Sequence, residues 1–290
     1  MNTRLLLNLL LACVAVALVL IVMYRPGLEG PPGPAPITRL DASRITRINV
    51  TRQQHEPLAF IKSGDGWQLE NHHGLRASAF QLRALLGTLT ARPGRRYPVT
   101  ALDLAGAGLQ PPQASLQLDD AVIDIGNTNP LDRYRYIRHN DTVYLVTDSY
   151  QHLINARWTN FVDRHLLPPG RELRAIELPG LQLRRAEDQR WQLTDSTDST
   201  DAAALQAFVQ RWQNAAATYL RAYNGEAGTA TVTLTDTRGE HIELLLLKRE
   251  PEFVLARPDW GIQYYFQGET GAALLAVTPP QAPTDRPAQP

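Results

Sequence analysis

An internal repeat constrains the fold of this chain more than any other feature. The segment "GDGWQLE", residues 64–70, recurs as "DQRWQLT", residues 188–194, at an offset of 124 residues. After each copy, apolar residues recur at the spacing that marks one face of a helix. These residues are Leu82, Leu85, Leu86 and Leu89 in the first copy, and Leu205, Phe208, Val209 and Trp212 in the second. Ser78 followed by Gln81 predicts a capped start for the first helix, and Thr200 or Asp201 can cap the second.

Segments with alternating apolar residues flank both predicted helices. Downstream, "ASLQLDD", "AVIDIG" and "RYRYIRHNDTVYLV" correspond to "ATVTLTD", "HIELLLL" and "EFVLARPDWGIQYYF". Alternation predicts strands, and the polar turns between them predict hairpins. The fold class is therefore α+β, with two tandem related units of β-β-α-β-β-β-β-α type, each a mostly antiparallel sheet with one main helix. Trp67 and Trp191 are predicted to be equivalent buried positions that pack on their own helices.

The N-terminus predicts a transmembrane helix and thus the lipid bilayer as a partner. From Leu5 to Tyr24 the chain is apolar except for Asn8. A helix of about 20 residues, at about 1.5 Å per residue, matches a hydrocarbon core of about 30 Å. No small-residue cleavage site follows, which favours an uncleaved signal anchor. Lipid modification of Cys13 is the alternative, but the mostly apolar residues after Cys13 make an unusual start for a soluble lipoprotein.

Membrane orientation follows from weaker signals. Arg4 and the terminal amine lie on one side of the apolar run, and Arg25, Arg39 and Arg44 lie on the other, so the charges nearly balance. A short polar tail before the apolar run is typical of a signal anchor. Cys13 is the only cysteine, so the rest of the chain is suited to an oxidising compartment. We expect a single-pass protein of the bacterial inner membrane with its body in the periplasm.

Composition sets the domain boundaries. We predict an anchor with a short tail at residues 1–24, a spacer rich in proline and glycine at 25–38, a first unit at 39–168, a second unit at 169–278, and a disordered tail at 279–290. Pro168, Pro169 and Gly170 interrupt any element at the joint between the units. The sequence does not decide whether the two units share one sheet.

The histidines, carboxylates and serines that could act in catalysis or bind a metal form no recognisable motif. The net charge is zero and the chain has two lysines, which argues against nucleic acid as a partner. His72 and His73 are adjacent and lack the companions of a metal site, while "TDSTDSTD", residues 194–201, lacks the glycine and closing glutamate of a calcium loop. Ser115 and Ser149 have no assignable base. No catalytic residue, cofactor or metal is therefore predicted.

One predicted strand, "RYRYIR", has the pattern of an interaction surface. Alternation places Arg133 and Arg135 on one face and Tyr134 and Tyr136 on the other. The arginines could bind an anionic ligand or an acidic partner. The structural interpretation is a half-buried strand with arginines exposed and tyrosines on the core, and we favour it because any half-buried strand alternates in this way.

A set of motifs in the first unit resembles the bacterial family of domain of unknown function 4340. The motifs are G-D-G-W, "GLQPP" at residues 108–112, "IDIG" at 123–126, "RYRYIR" at 133–138 and "VYLV" at 143–146. The resemblance covers residues 45–167 well and the second unit more weakly. It implies a membrane-anchored envelope protein, in some cases associated with an ABC-type auxiliary transport system, and it implies no catalytic residue.

Three functional hypotheses follow. The leading one is a non-enzymatic accessory or scaffold protein of the envelope with a protein partner. The second is a periplasmic module that binds a glycan, peptide or lipid group at the joint between the units, which requires a pocket with convergent polar groups there. The third is a hydrolase without a recognisable motif, which requires a buried carboxylate or histidine pair with perturbed acidity.

Overall fold

The computed structural model describes residues 3–24, 35–64, 66–149, 154–194 and 201–277, and within the first helix it describes the side chains of residues 10–20. The helices are α1 Thr3–Tyr24, α2 Ala79–Leu86, α3 Ala202–Gln213 and α4 Glu269–Ala273. Among the described residues, no helix is both long enough and apolar enough to cross a membrane. Most of the predicted spacer, most of "TDSTDSTD" and the predicted tail from 279 lie outside the described residues.

The first unit is built on a nine-stranded antiparallel sheet. Its strands are β1 Arg47–Arg52, β2 Leu58–Ser63, β3 Gly66–Leu69, β4 Leu75–Arg76, β5 Arg95–Pro98, β6 Ala114–Leu118, β7 Ala121–Thr128, β8 Tyr134–His139 and β9 Thr142–Thr147. They lie in the order β4-β3-β2-β1-β6-β7-β8-β9-β5.

The second unit is built on a separate eight-stranded antiparallel sheet. Its strands are β10 Leu173–Leu178, β11 Leu181–Arg185, β12 Trp191–Leu193, β13 Tyr219–Ala222, β14 Ala230–Asp236, β15 His241–Lys248, β16 Phe253–Arg257 and β17 Ile262–Phe266. They lie in the order β12-β11-β10-β14-β15-β16-β17-β13. The protein is thus mostly β, with two antiparallel sheets and few helices.

The two sheets have the same topology, as the repeat requires. Each strand of the second sheet has a counterpart at the same place in the first, and the positions equivalent to β4, residues 199–200, lie outside the described residues. In both units the strand that follows the helix, β5 or β13, crosses to the far edge and pairs with the last strand of its unit. These two edge strands and the two-residue β4 were not predicted from the sequence, whereas the remaining strands and both main helices were.

Both main helices begin at the predicted caps. The Ser78 side chain accepts a hydrogen bond from the Gln81 N–H, and the Asp201 side chain accepts one from the Ala203 N–H. Such caps stabilise the first turn because they satisfy N–H groups that have no partner within the helix. The predicted apolar stripe faces inward, with Leu82 and Leu85 buried on α2 and Phe208 and Trp212 buried on α3.

The "GLQPP" and "IDIG" motifs meet in the first unit. The loop with Gly108 lies on β7, where the Asn127 N–H donates to the Ala107 carbonyl at 2.8 Å. A methyl group on Gly126 would lie 2.3 Å from that same carbonyl oxygen, so only glycine permits the contact. Gly108 has a φ of +66°, which glycine adopts without strain. The motifs that carry the resemblance therefore fasten a loop to the outer face of the sheet.

Candidate functional site

A seven-residue segment, residues 161–167, joins the edges of the two sheets and is called the joint segment here. On one side it continues the first sheet next to β4, where the Asp163 N–H donates to the Arg76 carbonyl at 2.8 Å. On the other side it lies next to the residues before β13, where the Ala217 N–H donates to the Arg164 carbonyl at 2.9 Å. The two units therefore have separate sheets whose edges are hydrogen-bonded to the same segment.

Two contacts from the first unit hold the chain that leads into the joint segment. The buried guanidinium of Arg52 donates to the carbonyls of Glu56 and Ala156. The imidazole of His72 stacks on the Trp158 indole, with centroids 4.1 Å apart and an interplanar angle of 4°. The ring of His72 thus packs against the chain that leads into the joint segment. Burial lowers the pKa of His72, partly opposed by the nearby Glu56 carboxylate.

A cleft of about 280 Å³ opens at this joint, between the start of α2 and the start of β13. Its volume is just below the range of about 300–1,000 Å³ that is usual for small-molecule pockets, so it has room for one or two side chains. Its walls come from α2, the joint segment and its preceding turn, and β13. The lining residues are Ser78, Phe80, Gln81, Thr159, Asn160, Val162, Arg164, Thr218, Tyr219 and Leu220.

Phe80 is the apolar feature of this cleft. Its side chain is 68% exposed although it lies in the first turn of α2, beside buried Val162 and Leu220. Phe80 falls outside the stripe that packs α2 on the core, so the fold leaves the ring uncovered. A single exposed apolar residue is normal on a protein surface, but one that borders a cleft can receive an apolar group of a ligand.

Polar groups converge on the same cleft. The side-chain oxygen of Gln81 is buried, and no donor in the described part of the chain reaches it. Arg164 donates to the Thr218 carbonyl at 2.8 Å and is otherwise exposed. A buried acceptor without a donor costs free energy that a ligand N–H would recover.

An aromatic cluster extends the cleft along β13. The rings of Tyr219 and Tyr265 stack at 4.6 Å, and the Arg221 guanidinium lies 5.2 and 5.0 Å from their centroids. The Tyr219 hydroxyl donates to the Glu252 carboxylate at 2.9 Å. Burial and this hydrogen bond raise the pKa of Tyr219, so the phenol is protonated at neutral pH.

A carboxylate–histidine pair also lies in the joint segment. The Asp163 carboxylate is 2.7 Å from Nδ1 of His165 and 3.2 Å from the Arg76 guanidinium. His165 is exposed, and no second hydrogen-bond partner of its ring occurs among the described residues. No group of three or more His, Cys, Asp or Glu side chains that could hold a metal is found in the described ranges.

The predicted interaction strand is placed differently from the expectation. Arg133 precedes β8 with a φ of +60° and is exposed, whereas Arg135 is only 5% exposed. Arg135 lies on the inner side of the sheet, where it forms a bidentate pair with Asp148 at 2.7 and 2.9 Å and donates to the Gly126 carbonyl. Tyr134 and Tyr136 are half-buried on the other face. The prediction that Arg135 is exposed was therefore wrong, because a guanidinium whose three nitrogens are all hydrogen-bonded can be buried at the end of the sheet.

The other candidates from the sequence have local contacts. Asp124 pairs with Arg138 at 2.5 Å and accepts a hydrogen bond from Ser115, and Asp119 accepts hydrogen bonds from the N–H groups of Thr46 and Arg47. Trp191 is buried at 7% exposure, and Trp67 is half-buried against the same core. Sequence reasoning missed the cleft residues, although Phe80 was recognisable as a large apolar residue off the helix stripe.

The comparisons with known proteins support one assignment. No curated protein matches the chain, and no solved structure matches it. The family model described as "Domain of unknown function (DUF4340)" matches residues 67–237, which is more than half of the chain. The match begins in β3 of the first sheet and ends just after β14 of the second, so it includes the joint segment. The chain belongs to the DUF4340 family.

Proposed function

We propose that this protein is a non-enzymatic accessory or scaffold protein of the bacterial cell envelope, and that it docks a partner protein at the cleft between its two units. The observation that carries the proposal is the cleft itself, with the exposed Phe80 ring and the buried Gln81 oxygen side by side. Such a combination of an apolar group and unsatisfied polar groups is typical of a binding surface.

The size and position of the cleft favour a protein partner over a small ligand. A wider cleft, about 940 Å³, lies beside the start of the first unit, but two of its three carboxylates have partners within the fold. Asp41 caps a short turn at Ser43, and Asp119 holds the start of β1. The cleft at the joint has room for only one or two side chains. A docked protein requires a larger contact area, which the neighbouring edge of β13 can provide.

The proposal includes a membrane anchor in the inner membrane and a body in the periplasm. Its support is the sequence, in which the run from Leu5 to Tyr24 is apolar except for Asn8. An anchored body has a high effective concentration toward other envelope proteins, so a modest docking surface suffices. Association with an ABC-type auxiliary transport system is part of the proposal by family resemblance alone, which is an argument from analogy.

Site-specific cross-linking in native membranes tests the docking surface. A photoreactive phenylalanine analogue at Phe80 of the full-length chain should give one predominant protein adduct. The matched control is Leu131, which is apolar and 92% exposed but lies outside the cleft. Equal adducts from both positions, or none from Phe80, would contradict the proposal.

A fusion experiment tests the orientation separately. Alkaline phosphatase is active only after export, so its fusion after Val277 should be active if the body is periplasmic. A fluorescent protein that matures only in the cytoplasm should stay dark at the same position. The opposite pattern would place the body in the cytoplasm and remove the envelope partner from the proposal.

A further inference from the structure

The outer edge of β13 offers hydrogen-bonding groups to an added strand. The Tyr223 N–H donates to the Gly261 carbonyl at 2.8 Å, in register with the pairing of Ala222 and Ile262. Because hydrogen-bonded and non-hydrogen-bonded pairs alternate along antiparallel strands, the N–H and C=O groups of Leu220 and Ala222 point away from β17. In the described part of the chain, no group accepts from or donates to them. The joint segment hydrogen-bonds only to the residues before β13. The turn at Trp158–Phe161 lies near β13 without a backbone hydrogen bond to Leu220 or Ala222, so the edge formed by these two residues is unpaired and is called the open edge here.

The first unit closes the equivalent edge. In β5, the Val99 N–H donates to the Asp141 carbonyl, so the outward positions are Arg96 and Pro98. They are the repeat equivalents of Leu220 and Ala222 at the offset of 124 residues. Charged residues and proline are devices that prevent an edge strand from accepting another strand. The same fold therefore has one blocked edge and one open edge, and the open edge borders the cleft.

The surroundings of the open edge indicate the chemistry of its occupant. Phe80 and Leu220 provide an apolar wall, and Gln81 provides a buried acceptor. Arg164 is exposed and has no carboxylate within 4 Å among the described residues, whereas the Arg221 guanidinium lies over the rings of Tyr219 and Tyr265. An exposed guanidinium without an ion-pair partner beside a strand edge is complementary to an acidic side chain.

We propose that the partner docks through an extended peptide segment that adds to β13 as a ninth strand of the second sheet. Its backbone pairs with Leu220 and Ala222, one apolar side chain enters the cleft beside Phe80, and an acidic side chain near one end of the segment meets Arg164. This inference rests on the proposed function, since it names the occupant of the same cleft. Main-chain pairing supplies affinity and the cleft supplies specificity, as in other cases of strand addition.

The test combines the Phe80 cross-linker with a substitution that blocks the edge. Ala222→Pro removes the outward N–H, and the fold tolerates proline at the equivalent Pro98. In the full-length chain in native membranes, it should reduce the Phe80 adduct at least about tenfold, the size expected from the loss of strand pairing. The control is Ala227→Pro in the adjacent exposed loop, which should leave the adduct unchanged. Circular dichroism verifies that both variants are folded.

Mass spectrometry of the adduct identifies the captured segment and separates the outcomes. A segment with an apolar residue at the cross-link and Asp or Glu nearby, together with sensitivity to Ala222→Pro, supports strand addition. An adduct that survives Ala222→Pro overturns strand addition and leaves docking intact. An adduct to a second copy of this chain or to lipid overturns the partner peptide, and the absence of any Phe80 adduct overturns the proposed function as well.

Discussion

At the scale of single residues, Arg135 and Arg133 differ in their environment although the sequence makes them look equivalent. The Arg135 guanidinium is buried and paired with Asp148, whereas Arg133 is exposed at the turn before β8. Removal of one partner of a buried ion pair leaves the other charge uncompensated, so Arg135→Ala should lower the free energy of unfolding by about 3–5 kcal/mol. Arg133→Ala should change it by about 0.5 kcal/mol or less. Urea denaturation measures both, and equal losses would contradict the assignment.

His72 should make stability depend on pH. Burial lowers the pKa of His72 in the folded state, so the unfolded chain binds the proton more readily. The free energy of unfolding should therefore fall as the pH falls below about 6.5, the ordinary pKa of histidine, and stop falling below the lowered folded pKa. His72→Phe keeps a ring against Trp158 and should remove this component of the pH dependence.

The control for this prediction is the neighbouring histidine. His73 is exposed and its charge contributes to the lowered pKa of His72, so His73→Gln should weaken the pH dependence without abolishing it. A profile of His72→Phe that matches the unsubstituted chain would show that the stacked imidazole does not contribute. Chemical denaturation at a series of pH values gives the required free energies.

Alternation in the sequence shows that two sets of side chains face opposite ways, but it does not show which face is the core. In β8 the tyrosines were assigned inward from their hydrophobicity, yet Ile137 shares its face with Arg135, and that face is buried. A guanidinium with every nitrogen hydrogen-bonded is compatible with burial, and the carboxylate partner of Arg135, Asp148, is thirteen residues away in sequence. Only the three-dimensional pairing reveals that partner.

At the scale of elements, a glycine determines how the "GLQPP" loop lies on the first sheet. The added methyl of Gly126→Ala would meet the Ala107 backbone oxygen at 2.3 Å, and a backbone atom cannot move without displacing the loop. We expect a loss of about 1–3 kcal/mol in the free energy of unfolding, the usual cost of overpacking. Gly66→Ala has open space and should be close to neutral. If both substitutions have the same effect on thermal denaturation, the close contact is unimportant.

The strands found from the sequence and the strands missed differ in their residues. β14 and β15 have long alternating apolar patterns, whereas β5 and β13 are four-residue edge strands, "RRYP" and "YLRA". An edge strand buries little side-chain surface, and its place in the sheet depends on pairing with β9 or β17 far along the chain. The repeat predicted that the two units have the same arrangement of elements. The missed strands agree with it, because β5 and β13 occupy equivalent edges of the two sheets.

At the scale of the whole molecule, the two sheets are separate but their apolar interiors are not. The main core is one cluster that includes Phe60 and Leu82 of the first unit and Phe208 and Tyr264 of the second. The joint segment contributes Phe161 and Leu166 to it and hydrogen-bonds to both sheet edges. Contacts of this kind couple the two units, so we expect them to unfold together although each has its own sheet.

Hydrogen exchange distinguishes one cooperative unit from two independent domains. Ala217→Pro removes the N–H that donates to the Arg164 carbonyl at the joint and should destabilise the protein by more than about 1 kcal/mol, as proline does where an N–H is bonded. If the units are coupled, the amides of β7 and β15 should lose the same amount of protection against hydrogen exchange, because both then exchange only through global unfolding. With Ala227→Pro, both strands should retain their protection. Loss confined to β15 would mean that the second unit unfolds alone, and the joint cleft would then lie between two independently stable domains.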